Sequence, residues 1–447
     1  MTHVRLDLTH IAHGGEALGR HQGKVIFVPY ALPGERVVVE IVQDKPAYAR
    51  ANLVQVIAPS PRRVRPRCRH FGDCGGCQWQ HIHYEAQLQF KGTILTEQLQ
   101  RVGQFARPPV RPIIESASPW GYRNVAHLVA GEAGLGYQAT GSHRVVPVTE
   151  CPILLPALEK LLADFELDFP DLAEVTLRAG AHTGDLLVAL RVRGRLLPAL
   201  EIDQPISCVL LARGAPPVVV CGHETLEEEV KGRRYRISPE SFFQVNTAQA
   251  TILADLVTEA LSLTDEDVVA DLYCGVGLFT CLLAPLTERV IGIEISEGAV
   301  EDARHNAIDL PNVTIQQGRV EDVLPTIDEV LDAMVLDPPR GGCSPQALEA
   351  VTRHRPDRIA YVSCDPATLA RDLRILVDAG YALRWVQPVD MFPQSYHVES
   401  VSLLERWAIK RSGPTGVTPG RATARVAPNT SKKEKNTWNS TSPKSRK

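Results

Sequence analysis

The chain has 447 residues, a length that suits about three domains, and its 44% apolar and 22% charged content excludes a disordered or fibrous protein. The longest uncharged stretch, 272–287, holds two glycines and a proline, and the opening MTHVRLDLTH has Asp7 and no apolar block, so neither a membrane span nor a secretory leader is expected. The net charge of −4 hides an asymmetry: residues 410–447 carry ten Lys or Arg against one acid, and residues 45–72 carry seven with none, which fits an acidic body with a polyanionic partner such as nucleic acid.

In chain order, residues 1–59 read as short strands (VRLDL, KVIFVP, GERVVVEIV, YARANLVQVI) separated by close glycine turns, which predicts a small β-barrel that ends at Pro59 and Pro61. Residues 60–80 are too rich in Arg, Cys, Gly and Pro for a regular element. They hold Cys68-x5-Cys74-x2-Cys77 within a stretch of arginines running from Arg62 to Arg69, and Cys151 follows downstream in TECPIL. Ten cysteines without a leader point to a reducing cytoplasm and to metal or catalytic use. Three close cysteines plus a distant fourth can supply four thiolates to one cluster, whereas zinc sites favour paired C-x-x-C knuckles; iron–sulfur therefore ranks ahead of zinc, and a disulfide framework comes last. Cys208, Cys221, Cys274, Cys281 and Cys343 read as core residues.

Leu88, Leu95, Leu99 and Val102 recur at helical spacing and predict one helix within 81–107, expected to pack on the catalytic domain at 241–409. Residues 120–240 look mostly β, with a hairpin in EVTLRAG/AHTGD/LLVALRV, so 60–240 is expected to form a β-rich central domain that carries the four cysteines. From Ser241 to Ile409, strand-like runs at 267–273, 289–294, 312–317, 332–337 and 358–363 alternate with helical ones, the pattern of an open, mostly parallel α/β sheet. Ser344–Pro345 and Asp365–Pro366 each place an N-cap before a proline at the first helical position. Residues 410–447 read as a disordered basic tail.

Several strand ends in the α/β part carry chemistry. Asp271-Leu-Tyr-Cys-Gly275-Val-Gly277 closes the first strand, where glycines let the backbone approach a ligand beside a helix N-terminus. Glu294 ends the next strand, where an acid can take both hydroxyls of a ribose; with only two glycines, S-adenosylmethionine is favoured over a dinucleotide. Asp337-Pro-Pro-Arg340 follows the strand AMVL, and the arginine argues against chemistry on an exocyclic amine. Cys364 stands between a strand and the Asp365–Pro366 helix start, where the helix dipole favours a thiolate and Asp365 opposes it. His397 and Glu399, in DMFPQSYHVESVSLLER, are candidate proton carriers.

Taken together, SFFQVN (241–246), DLYCGVG (271–277), DPPRGG (337–342), YVSCDPATLARDL (361–373) and DMFPQSYHVESVSLL (390–404) resemble the RNA 5-methyluridine methyltransferase family. The resemblance implies a class I (Rossmann-like) S-adenosylmethionine-dependent domain, and the first 58 or so residues look like the family's TRAM module, a small OB-like RNA-binding barrel. Cys68, Cys74, Cys77 and Cys151 match the spacing of the family's [4Fe-4S] site. Carried over by motif, Cys364 is implied as the nucleophile and Glu399 as the base. Gln244, Tyr273, Gly275, Gly277, Glu294 and Asp337 fall where the S-adenosylmethionine and uracil pockets are lined. Relatives often read G-x-G-N in the glycine loop; this chain has Leu278 there. Phe242 or Phe243 is a candidate to stack on a flipped uridine, and two adjacent phenylalanines suit the core equally well.

Barrel plus cluster looks more like the ribosomal RNA branch, 23S in particular, with transfer RNA as the alternative; a monomer without an obligate protein partner is expected. A cytosine-C5 enzyme would place proline before the nucleophile, where this chain has Ser363. A non-catalytic iron–sulfur RNA-binding protein should have lost Cys364, Glu399 or the glycine loop, and all three are present.

Overall fold

The computed structural model describes residues 3–165, 169–194 and 202–407; the basic tail expected at 410–447 lies outside them. His3–Ile11, Ala17–His21, Lys24–Val28, Arg36–Asp44 and Tyr48–Ala58 close into a five-stranded barrel. Period-2 alternation dictates this: Val4, Leu6 and Leu8 point inward from the first strand and meet Val37 and Val39 from the fourth. The cysteine-bearing stretch after Pro59 has no helix or strand of its own. It is pinned by isolated bridges, Arg63 to Ile82 and Cys74 to Ala139.

The helix predicted within 81–107 is Tyr84–Arg101. It starts late because Ile82 is engaged in the bridge to Arg63, and it stops before Gly103 and Gln104, the latter at φ +56°. Its two faces have different duties. Phe90 and Ile94 pack with Trp79, Leu32 and Ile11, while Leu95 and Leu99 enter the core beside Tyr361, Leu369 and Leu373. Each such fully buried leucine contributes roughly 2 kcal/mol of apolar burial, so this helix fastens the barrel and cysteine stretch to the α/β part.

The central region is a seven-stranded sheet, and the predicted hairpin lies within it as Leu172–Ala179 against Leu186–Val192, with Leu177 opposite Val188. A helix, Pro156–Ala163, covers one face through Leu158, Leu161 and Leu162. Packing continues across residue 240: Tyr235 and Ile237 share a core with Val269 and Val335 of the next sheet.

That next sheet has seven strands: β1 (Val268–Leu272), β2 (Arg289–Glu294), β3 (Val313–Gln317), β4 (Ala333–Leu336), β5 (Arg358–Ser363), β6 (Tyr381–Val389) and β7 (Glu399–Arg406). Their spatial order is β3-β2-β1-β4-β5-β7-β6; the first five are parallel, and β7 runs antiparallel between β5 and β6. This is the expected α/β fold with an antiparallel edge. The helix starts also stand where the sequence put them: Ser344 Oγ accepts from Ala347 N–H, and Asp365 Oδ1 accepts from Ala367 and Thr368 N–H. β6 was not anticipated, because Arg384 and Pro388 break its apolar run; pairing with β7 makes it a strand. Among the described residues no helix is long and apolar enough to cross a membrane.

Candidate active site

A cleft of about 1160 Å³ opens at the carboxyl ends of the parallel strands. Ligands of open α/β sheets bind there because the strand ends leave turns and helix N-termini free to face them. Tyr273, Gly275, Glu294, Asp337, Cys364, Glu399 and Gln244 all line it, and Cys68, Cys74, Cys77 and Cys151 line it as well.

The loop after β1 takes its shape from three left-handed residues, Tyr273 (φ +66°), Gly275 (+55°) and Gly277 (+86°), and Gly277 caps the helix Leu278–Leu283. Glu294 is locked beneath the loop: its Oε2 accepts from Gly275 N–H at 3.0 Å, and its Oε1 accepts from Ile295 and Ser296 N–H at 2.8 Å. Asp271 is fully buried, with Oδ2 held by Thr280 N–H (2.9 Å) and Oγ1–H (2.6 Å), while Oδ1 has no partner. Burial pushes the Asp271 carboxyl up to about 7. Leu278, which follows the second glycine of the loop, is buried in the core and offers the cleft no polar group.

Cys364 leaves the end of β5 half-buried, and Glu399 begins β7, buried. The β5–β7 register pairs Ser363 with Ser400, so the next residues outward, Cys364 and Glu399, leave the sheet side by side. Burial, and then the negative charges of Glu399 and Asp337, push the Cys364 thiol up to about 12; Arg340 opposes them. Burial and these acids therefore outweigh the thiolate-favouring pull of the helix N-terminus. Burial, and then Asp337, raise Glu399 well above the usual carboxylate range, and burial followed by Asp271 brings Asp337 to about 7. His397 is wedged between Phe392 and Tyr396, and burial lowers it to about 3, so it is a neutral wall of the site.

Of the two adjacent phenylalanines, Phe243 is 6% exposed and packs on Tyr235, whereas Phe242 is 65% exposed at the cleft. The arginine stretch divides too. Arg63 is drawn inward, donating to both oxygens of buried Glu35 at 2.5 and 2.8 Å, so its charge serves the barrel rather than a partner. Arg62, Arg65, Arg67 and Arg69 are exposed, though Arg69 pairs with Glu150. Sequence reasoning passed over Gly318–Glu321 at the end of β3, which lines the same cleft. The rule already used for the other parallel strands, that ligands sit at carboxyl ends, would have found it.

The four cysteines are free thiols on one wall of the cleft. Burial raises all four, Cys77 to about 12 and Cys151 to about 11, and proximity to one another raises Cys74, Cys77 and Cys151 further. Backbone donors already face sulfur: His70 N–H to Cys68 Sγ and Gly76 N–H to Cys74 Sγ, each 3.4 Å. Among the described residues no group of three or more His, Cys, Asp or Glu is placed to hold a metal ion. Four thiols on one wall of the cleft, two of them with backbone N–H donors on sulfur, are the donor set that a [4Fe-4S] cluster would use.

The sequence model described as tRNA (uracil-5-)-methyltransferase matches residues 196–407, and that of the TRAM domain matches residues 2–54. An uncharacterized RNA methyltransferase of Synechocystis is 36% identical over 441 residues, covering 90% of this chain and 95% of that one. Another, of Gloeobacter violaceus, is 38% identical over 445 residues, covering 90% and 96%. The chain belongs to the RNA uracil-5-methyltransferase family. Within that family, the crystal structure of the Pyrococcus abyssi tRNA (uracil-54, C5)-methyltransferase with S-adenosyl-L-homocysteine matches at a TM-score of 0.71 and 28% identity, covering 90% of this chain and 100% of that one. The chain is thus an S-adenosylmethionine-dependent RNA uracil methyltransferase with a TRAM barrel at its N-terminal end.

Proposed function

We propose that this methyltransferase modifies carbon 5 of a uridine in structured RNA through a covalent adduct, with Cys364 as nucleophile and Glu399 as base. The observation that carries the reading is the β5–β7 register, which brings a thiol and a buried carboxyl out side by side at the sheet edge where the glycine loop ends. Carbon 5 of uracil is too weak a nucleophile to take a methyl group unaided. Cys364 gives up its proton to solvent and adds as the thiolate to carbon 6, which turns the ring into an enolate, and carbon 5 then attacks the methyl group. S-adenosylmethionine supplies that methyl and leaves as the neutral thioether. Glu399 removes the hydrogen on carbon 5; the electrons of the C–H bond restore the C5–C6 double bond and expel the Cys364 thiolate.

Tyr273, Gly275, Glu294 and Gln244 form the methyl-donor side of the cleft in this reading, Gly277 shapes the loop from behind without lining it, and Asp337 stands between donor and nucleophile. Phe242 is the exposed aromatic face on which a flipped uridine stacks; Phe243 belongs to the core. The barrel, Arg62, Arg65 and Arg67 supply backbone contacts that weaken with salt. We assign Cys68, Cys74, Cys77 and Cys151 to a [4Fe-4S] cluster, whose iron charge would let four adjacent buried sulfurs stay ionised.

Ribosomal RNA is the target we place first, on the pairing of barrel with cysteine cluster. Transfer RNA is the second reading, because the Pyrococcus enzyme, matched along its whole length, is named for a transfer RNA position. Mapping 5-methyluridine by mass spectrometry in ribosomal and transfer RNA, with and without the protein, decides between them. Cys364→Ala is expected to abolish 5-methyluridine while S-adenosylmethionine still binds; transfer at the unmodified rate would overturn the mechanism. Glu399→Gln is expected to accumulate a protein–RNA adduct seen as a shifted band on a denaturing gel, and free enzyme alone in that lane would count against the base.

A further inference from the structure

The loop 390–398 between β6 and β7 delivers Glu399, and the groups that fix its middle come from far away in sequence. At its centre Gln394 is 2% exposed and holds φ +68°, a left-handed conformation that costs a non-glycine residue on the order of 1 kcal/mol and persists only where the surroundings over-determine it. Gln394 O accepts from the N–H groups of Gln78 (3.2 Å) and Trp79 (3.0 Å). Its N–H donates to Gln87 Oε1 (3.0 Å), Gln87 Nε2 donates back to its Oε1 (3.0 Å), and its own Nε2 donates to Pro119 O (3.3 Å). Every hydrogen bond of Gln394 thus goes to residues 78–119, which belong to the cysteine stretch, the Tyr84–Arg101 helix and the segment after it. The flanking carbonyls are held likewise: Tyr122 Oη–H donates to Pro393 O at 2.9 Å, and Lys91 Nζ to Phe392 O at 2.9 Å. Tyr122 in turn packs on Cys77 and Ile153.

We infer that Gln394, clamped by Gln87, is a positioning residue for Glu399. The inference rests on the reading of Glu399 as the base. A base must sit within hydrogen-bond reach of the proton it removes, and a misplacement of about 1 Å can cost on the order of 100-fold in rate. The β6–β7 ladder ends at Glu399, which pairs with Val389; the segment that approaches it from the N-terminal side is held at the Gln394 clamp. Gln78 and Trp79 follow Cys77 directly, so ordering the cysteine stretch and placing the base are one mechanical problem.

The test uses full-length protein, purified anaerobically, with Gln394→Gly, which accepts the left-handed backbone and deletes only the side-chain bonds. We expect kcat to fall by about 10- to 100-fold, with KM for RNA and iron content per chain unchanged. The decisive readout is the fraction of enzyme carried as covalent RNA adduct during turnover. It rises, as in Glu399→Gln, because removal of the carbon-5 hydrogen has become slow. Gln394→Asn tolerates the same backbone conformation and has a shorter side chain; it gives the same adduct rise and serves if the glycine variant does not fold. A kcat within twofold of the unmodified enzyme, or a fall in kcat without an increase in adduct, overturns the positioning role. If Glu399→Gln itself gives no adduct, the base assignment has failed, and that result is separable from an adduct in Glu399→Gln with none in the Gln394 variants.

Discussion

At the scale of single residues, Cys364 sits among charged groups that set its protonation. Burial and two neighbouring acids hold the Cys364 proton on, with Arg340 the counterweight. The acids are themselves buried, so their influence depends on pH. Asp337 loses its proton at about pH 7; above that it is charged and holds the thiol up, and below it exerts little effect. Labelling of Cys364 by a maleimide, read by peptide mass spectrometry, should therefore be faster in Asp337→Asn than in the unmodified protein above about pH 7, with the two rates converging below it. Arg340→Ala should slow labelling, since the opposing positive charge is gone. Faster labelling in Arg340→Ala would show that the arginine does not face the thiol.

At the scale of elements, the decisive joint lies between the Tyr84–Arg101 helix and the loop that begins at Asp390. Lys91 and Asp390 are both fully buried and pair at 2.5 Å, and Tyr84 Oη–H donates to the second Asp390 oxygen at 2.8 Å. Such a pair adds little over a well-packed apolar one, but removing one partner strands the other charge in the core. Lys91→Met is therefore expected to destabilise the fold by about 3–5 kcal/mol, measured as a shift in the urea midpoint. Combining it with Asp390→Leu should recover part of that loss, and a single variant as stable as the parent would exclude the uncompensated charge. This joint and the Gln394 clamp hold the same loop, so the helix braces the site although none of its residues lines the cleft.

At the scale of the whole molecule, three regions distant in sequence meet at one mouth. The barrel arrives through its first turn: His13 Nε2 lies 3.4 Å from Asp365 Oδ2, next to Cys364. A Cβ on Gly15 would stand 2.8 Å from the Tyr396 Cβ and 2.9 Å from Trp79 Nε1, so only glycine lets the barrel seat this closely. The cysteine stretch supplies the opposite wall. Its assignment to a cluster predicts a brown protein with about four irons and four sulfides per chain after anaerobic purification, measured by iron and acid-labile sulfide analysis. Colourless protein loaded with zinc would remove the cluster. Serine at Cys77 should lower iron content and loosen the Gln78–Trp79 clamp together, because the residues are consecutive.

Local chemistry was enough for much of this protein. Strand-and-turn punctuation at 4–57, the N-caps Ser344 and Asp365 before proline, and the glycines after Asp271 are each decided by neighbouring residues, and so they could be read from the sequence along with the α/β pattern and the family motifs. Other features depend on partners tens or hundreds of residues away. Nothing local distinguishes Phe242 from Phe243, turns Arg63 inward to Glu35, makes a strand of Tyr381–Val389 before β7 pairs with it, or sets Gln87 against Gln394. Sequence fixes backbone preferences over a few residues, because those energies come from adjacent groups. Which side chains converge on the cleft, and which disappear into the core, is settled by packing, where each contact exists only once all the others are in place.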